Sequence, residues 1–191
     1  MNDDQKSFEE LFKLLYQRLL SFCIHYVKEK ESAEEIVLDI FSKMWQKRKD
    51  LLAIRNVETY LFVAVKNHSL NHIKQFSRFQ VVYLEENGIS QLSNGDNPEQ
   101  ELVQKELFAK MELAIKALPP QCRTIFHLIK EQKLKYKQVA KILNLSPRTV
   151  ETQLVRALKK LDATISPHLS SHPKRTKSDN KVLSIIKSIL F

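Results

Sequence analysis

The sequence predicts an all-α protein of two small helical domains joined by a flexible acidic linker. Three observations predict it. Only two of the 191 residues are glycine, Gly88 and Gly95, where an average chain carries about 7%. Apolar residues recur at i, i+3, i+4 over several long stretches, the period of a helix with one buried face. Charge is divided unevenly along a chain of formal net charge +9: residues 79–100 carry acidic groups and no basic ones, whereas residues 101–165 are strongly basic. The glycine shortage also excludes function classes. Phosphate loops, tight hairpins and dinucleotide fingerprints need glycine for positive φ or close backbone approach, and neither glycine stands in such a pattern.

The first lobe, residues 1–78, begins with a stripe of Phe8, Leu11, Phe12, Leu15, Leu19, Phe22, Cys23 and Tyr26 after an Asn2-Asp3-Asp4 start. Ser32 with Glu35 three residues on reads as a capping box opening a second helix. That helix carries two apolar lines, Ile36, Ile40, Met44 and Val37, Phe41, Trp45, more than one packing face requires. A third helix starts at Asn56, an N-cap residue type, and runs through Tyr60, Leu61, Val65, Leu70 and Ile73. Residues 79–100 hold both glycines with Asn87, Asn94, Asn97 and Pro98, the composition of a linker. As a flexible chain, 22 residues would span roughly 25–30 Å.

The second lobe, residues 101–165, starts with Phe108, Met111, Ala114, Ile115 and Leu118 in helical register. Pro119-Pro120 stops that helix, and Pro120 suits the first turn of the next, where its missing N–H costs nothing. The segment YKQVAKILNLSPRTVETQLVRALKKL (residues 136–161) then has the parts of a helix-turn-helix. Ala140 is small where a second helix crosses, and Asn144 tolerates left-handed φ in the turn. Ser146 caps the second helix and Pro147 fits its first turn. Val150, Leu154, Ala157, Leu158 and Leu161 form its buried stripe. The opposite face displays Arg148, Thr149, Thr152, Gln153, Arg156 and Lys160, side chains of the types that read base edges and hold phosphates. Glu151 repels phosphate and points either to a cytosine amine or away from the duplex. The basic tail, residues 166–191, ends in the amphipathic KVLSIIKSILF.

Cys23 and Cys122 form no C-x-x-C pair and read as buried thiols of a reducing compartment. No apolar run reaches the ~18 residues of a membrane span, and the start MNDDQKSFEE is unlike a signal peptide; a cytoplasmic protein is expected. His68 and His72 lie four apart, but Ser69 follows the first and no third ligand is evident, so no metal or other cofactor is expected. The acidic pairs Asp3-Asp4 and Glu34-Glu35 are adjacent rather than facing, so no enzyme is expected either.

Together these blocks, over residues 7–165, resemble a bacterial RNA polymerase sigma factor of the extracytoplasmic-function group, the compact two-domain kind of the sigma-70 family. The resemblance runs through SAEEIVLDIFSKMW (Ser32–Trp45), VETYLFVAVKNHSLNHIK (Val57–Lys74), LPPQCRTIFHL (Leu118–Leu128) and the helix-turn-helix. It implies that the second lobe reads the minus-thirty-five promoter element. It implies that the helix around Asp39, Phe41, Lys43 and Trp45 docks on core RNA polymerase; Phe41 and Trp45 serve either as interface anchors or as packing against the first helix. By the same resemblance Tyr60, Lys66, Asn67, Asn71 and Lys74 lie where the family reads the minus-ten strand, with Tyr60 equally placed to be core. The implied partners are core RNA polymerase, promoter DNA and an anti-sigma factor. Two positions depart from the family's pattern. Leu38 stands before Asp39 where a glutamine is usual, and Lys133 stands where a loop glycine is common, so the turn there must use another residue. The competing reading is a regulator of the response-regulator output type, whose receiver half would alternate strands and helices where residues 1–78 show helical stripes.

Overall fold

The protein is described by a computed structural model over residues 2–48, 54–76 and 109–170, with the backbone alone at 2, 3 and 165–170. Among the described residues the α-helices are, in order, α1 Asn2–Val27, α2 Lys30–Gln46, α3 Val57–Phe76, α4 over 109–116, α5 Pro120–Phe126, α6 Tyr136–Leu143 and α7 Pro147–Ser170. A π-helical turn, His127–Glu131, extends α5. No strand occurs among the described residues. The all-α expectation holds.

By backbone proximity the chain divides into two units. The first holds α1, α2 and α3 with residues Lys137–Ser146; the second holds α4, α5, the π turn and α7. The expected linker, 79–100, lies outside the described residues, as does the start of the helix expected from Glu101. The helix is described from residue 109.

In the first unit α1 packs along α2 and α3, and α2 also meets α3. Leu15, Leu19 and Phe22 of α1, Val37, Ile40 and Phe41 of α2, and Leu61, Phe62 and Val65 of α3 are all buried, with almost no exposure. Aromatic rings tie the helices together: Phe22 lies 5.2 Å from Phe62, and Phe41 lies 4.8 Å from Phe12 and 6.1 Å from Phe8. Such pairs contribute about 0.5–1.5 kcal/mol each beyond burial. Arg18 pairs with Glu58 at 2.6 Å and lies over the Phe62 ring. Cys23 is buried, as expected, with its Sγ 3.2 Å from Ser69 Oγ. Burial pushes its thiol pKa up and the Ser69 contact opposes this, so the sulfur is a packing group and not a thiolate nucleophile.

Helix ends show where local sequence decides. Asn56 caps α3 as its residue type predicts, its Oδ1 accepting the Thr59 N–H at 2.8 Å. The capping box at Ser32 and Glu35 is corrected: α2 already starts at Lys30, two residues before Ser32, after an extended Glu29. The Ser32 hydroxyl donates to the Glu29 carboxylate instead. The early start follows from Lys28, whose φ of 67° turns the chain at once after α1.

In the second unit α5 packs on α7. Met111, Leu118, Ile125, Phe126, Leu154 and Leu161 are among its buried residues. Pro119-Pro120 ends α4 and starts α5 as expected, with Pro120 in the first turn. The Arg123 guanidinium donates to the carbonyls of Lys116 and Leu118, satisfying the end of α4. The π turn is closed by Gln132 N–H donating to His127 O at 3.0 Å. Lys133 then takes φ 57°. The expectation that another residue would make this turn is corrected: the lysine adopts the left-handed conformation itself. Buried Gln132 and Leu134 on either side hold it there. At the other end α7 runs through Pro167 to Ser170, so the first residues assigned to the tail are helical; 171–191 lie outside the described residues.

Candidate nucleic-acid interface

The continuous helical pattern of residues 136–161 breaks where the sequence says it should. α6 ends at Leu143, Asn144 takes φ 56°, and α7 begins at Pro147. Leu145 N–H donates back to Ala140 O at 2.9 Å, closing the last turn of α6. Asparagine tolerates this conformation better than other non-glycine residues. Val139, Ala140 and Ile142 are buried on α6.

On α7 the expected stripe turns inward. Val150, Leu154, Ala157 and Leu161 are all buried, and Leu158 is half-buried. Opposite them Arg148, Thr152 and Arg156 are exposed. Thr149 is half-buried on the shoulder of that face. Two expected members stand further round: Gln153 is half-buried and its Oε1 accepts from Cys122 Sγ at 3.0 Å, while Lys160, exposed as expected, donates to Ala117 O at 3.1 Å. Both tie α7 to its own unit. In their place the outward face carries Val155, 45% exposed, and Lys159, neither of which the sequence reading singled out. Helical spacing puts Arg148, Thr152, Val155 and Lys159 on one line, with Glu151 and Arg156 on its two sides. Thr152 turns its hydroxyl back onto Arg148 O at 2.9 Å, which removes its donor from the face.

On α3 the residues expected to meet DNA also share a face. Tyr60, Asn67, Asn71 and Lys74 recur at helical spacing and all are exposed; Tyr60, at 47%, is not core. Lys66 is half-buried on the flank and donates to Ile142 O, in the same unit, at 2.6 Å. His68 lies 4.0 Å from Asp39, and His72 stacks on Phe76 at 4.3 Å, so the two imidazoles have separate neighbours. Among the described residues no three His, Cys, Asp or Glu side chains stand close enough to hold a metal ion.

The α2 residues separate into surface and core. Asp39 and Lys43 pair at 2.7 Å on the outside. Phe41, 3% exposed, is core between Phe8 and Phe12, so of the two readings open to it packing against the first helix holds and the interface anchor does not. Trp45 is half-buried against Phe8 at 4.9 Å, with the Arg48 guanidinium 4.6 Å above its ring. Leu38, the departure from the usual glutamine, is half exposed beside Asp39.

Residues 11–79 match the family described as Sigma-70 region 2, and residues 108–161 match Sigma-70, region 4. Among characterised relatives, RNA polymerase sigma factor YlaC of Bacillus subtilis is 25% identical over 152 residues, covering 79% of this chain and 87% of the relative. RNA polymerase sigma-H factor of Pseudomonas aeruginosa is 22% identical over 173 residues, covering 87% and 90%. In fold the chain is similar to the sigma factor RpoE of Bartonella quintana, solved in complex with the anti-sigma factor NepR, with a TM-score of 0.66 at 21% identity over 84% of this chain and 98% of that one. No described helix is long and apolar enough to cross a membrane.

Proposed function

We propose a division of labour for a chain that belongs to the sigma-70 family of RNA polymerase sigma factors, in its extracytoplasmic-function group, and that directs the polymerase to promoters. Sigma function is binding rather than bond-making. The chain's side chains recognise DNA and the polymerase that they recruit. In this reading α7 enters the major groove of the minus-thirty-five element. The supporting observation is the arrangement of Arg148, Arg156 and Lys159 opposite a fully buried stripe, in a segment matching region 4. Each guanidinium either clamps a guanine edge with two hydrogen bonds or neutralises a phosphate.

The exposed line of α3 has the complementary task at the minus-ten element. Strand opening requires holding unstacked bases, for which a protein supplies aromatic faces, amides and cations. Tyr60 offers the ring, Asn67 and Asn71 the amides, and Lys74 the charge. Polymerase docking falls to the outer side of α2, through Asp39, Lys43 and the half-buried Trp45. The Bartonella quintana sigma factor carries an anti-sigma factor in its crystal, and an anti-sigma partner of this chain is proposed by that likeness. A response-regulator output protein is disfavoured, because the described residues of the first unit are helical and match region 2.

Asp39→Ala tests the docking assignment. The residue is half-exposed on the outer side of α2, and its pair with Lys43 at 2.7 Å contributes only about 0.3–0.5 kcal/mol to the helix, so the fold should persist. Titration of labelled chain with purified core polymerase should show weakened association, while its helical content and melting stay unchanged. An unaltered core affinity would remove Asp39 from the interface.

A further inference from the structure

We infer that Val155 reads the 5-methyl group of a thymine in the promoter element that α7 contacts, an inference that rests on the groove-entering role proposed for that helix. A lone exposed valine is ordinary on a protein surface; the position of this one carries the inference. Val155 stands at the centre of the outward line of α7, three residues after Thr152 and four before Lys159, with its side chain 45% exposed. The helix gains nothing locally from a β-branched residue there, since Val is a poorer helix former than the Lys, Arg or Gln around it. Nor does Val155 serve the core, which is filled from the opposite side by Val150, Leu154, Ala157 and Leu161.

Thr152 strengthens the point. Its hydroxyl donates to Arg148 O, so the middle of the face offers carbon at two neighbouring positions, while cations stand at Arg148, Arg156 and Lys159 around them. A groove-facing surface with an apolar centre, cations at Arg148, Arg156 and Lys159 and the carboxylate of Glu151 on one side matches one feature of the major groove. The thymine methyl is the apolar group that a base edge of unmodified DNA presents there. Contact with it excludes water from both methyl surfaces and distinguishes T·A from the other pairs without a hydrogen bond.

The test uses the full chain assembled with core polymerase and a random-sequence DNA duplex pool. Selection yields the preferred duplex, which is then remade with deoxyuridine for thymidine, one position at a time. Uracil pairs as thymine does and lacks only the methyl. Burial of one methyl predicts about a fourfold loss of wild-type affinity at one position, or two adjacent ones, in the upstream element. Val155→Ala should bind the thymine and uracil duplexes equally at that position and keep the wild-type response elsewhere. Its melting should match wild type, because the side chain is outside the core. Indifference of the wild type to uracil throughout the element, or equal losses in wild type and Val155→Ala, would overturn the assignment to Val155 while leaving promoter binding intact. Enrichment of no sequence at all would overturn the groove-entering role of α7, and this inference with it.

Discussion

Arg156 is the sharpest probe of the α7 surface, because it lies exposed opposite the buried stripe and its truncation removes charge without opening a cavity. Two contacts are open to it, and they differ in how they respond to salt. A phosphate contact makes the slope of log affinity against log salt more negative by about 0.9. Raising salt fourfold, from about 50 to 200 mM, then costs the wild type roughly 3.5-fold more affinity than Arg156→Ala. A bidentate contact to guanine is worth about 1–3 kcal/mol, or roughly 5- to 150-fold. That loss persists at high salt and is confined to one base pair. Fluorescence anisotropy of labelled promoter duplex with the polymerase-bound chain, over a salt series and with single base-pair changes, separates the two. Unchanged affinity together with an unchanged salt slope would refute the placement of this face against DNA.

Two further substitutions test the packing beneath the functional surfaces. Phe41→Ala should destabilise the first unit by about 3–5 kcal/mol, read as a lowered thermal midpoint, while Phe41→Leu should cost less than half as much; a near-neutral alanine variant would mean that Phe41 is not core. Lys133→Gly should raise the stability of the second unit by about 0.5–1 kcal/mol, because the left-handed penalty of about 1–2 kcal/mol outweighs the extra flexibility of glycine in the unfolded chain; denaturant midpoints measure it, and a destabilised variant would contradict the positive φ.

What the sequence disclosed, and what it hid, follows from how local each feature is. The start of α3 was legible because a single residue, Asn56, supplies its cap. The break between α6 and α7 was legible because Asn144 and Pro147 each favour the conformation they hold. The Ser32–Glu35 pattern misled, since a capping box depends on where the preceding turn releases the chain, and Lys28 releases it early by a left-handed step that lysine does not advertise. Lys133 hides its turn in the same way: the backbone there is held by buried neighbours, a tertiary cause. The π turn at His127–Glu131 leaves no mark in hydrophobic period.

On α7 the outward face lies where the buried stripe predicts, with Arg148, Thr152 and Arg156 exposed on it. Polarity alone places Gln153 and Lys160 with the outward row, yet helical rotation carries them about a third of a turn toward the flank, where Cys122 and Ala117 engage them. Val155 has no hydrogen-bonding group, so polarity gives no sign of its place on that face. Similarly Phe41 belonged to a line of residues that the helical period alone could not assign to core or surface, and its rings with Phe8 and Phe12 decided the matter.

A gel shift on promoter duplex with purified core polymerase present and absent tests the central claim most directly. A sigma factor with this division of labour binds the duplex tightly and supports initiation from it only when core is added, and core alone gives neither. Tight, sequence-specific binding by the free chain, with no gain on adding core and no promoter-directed transcript, would contradict the account.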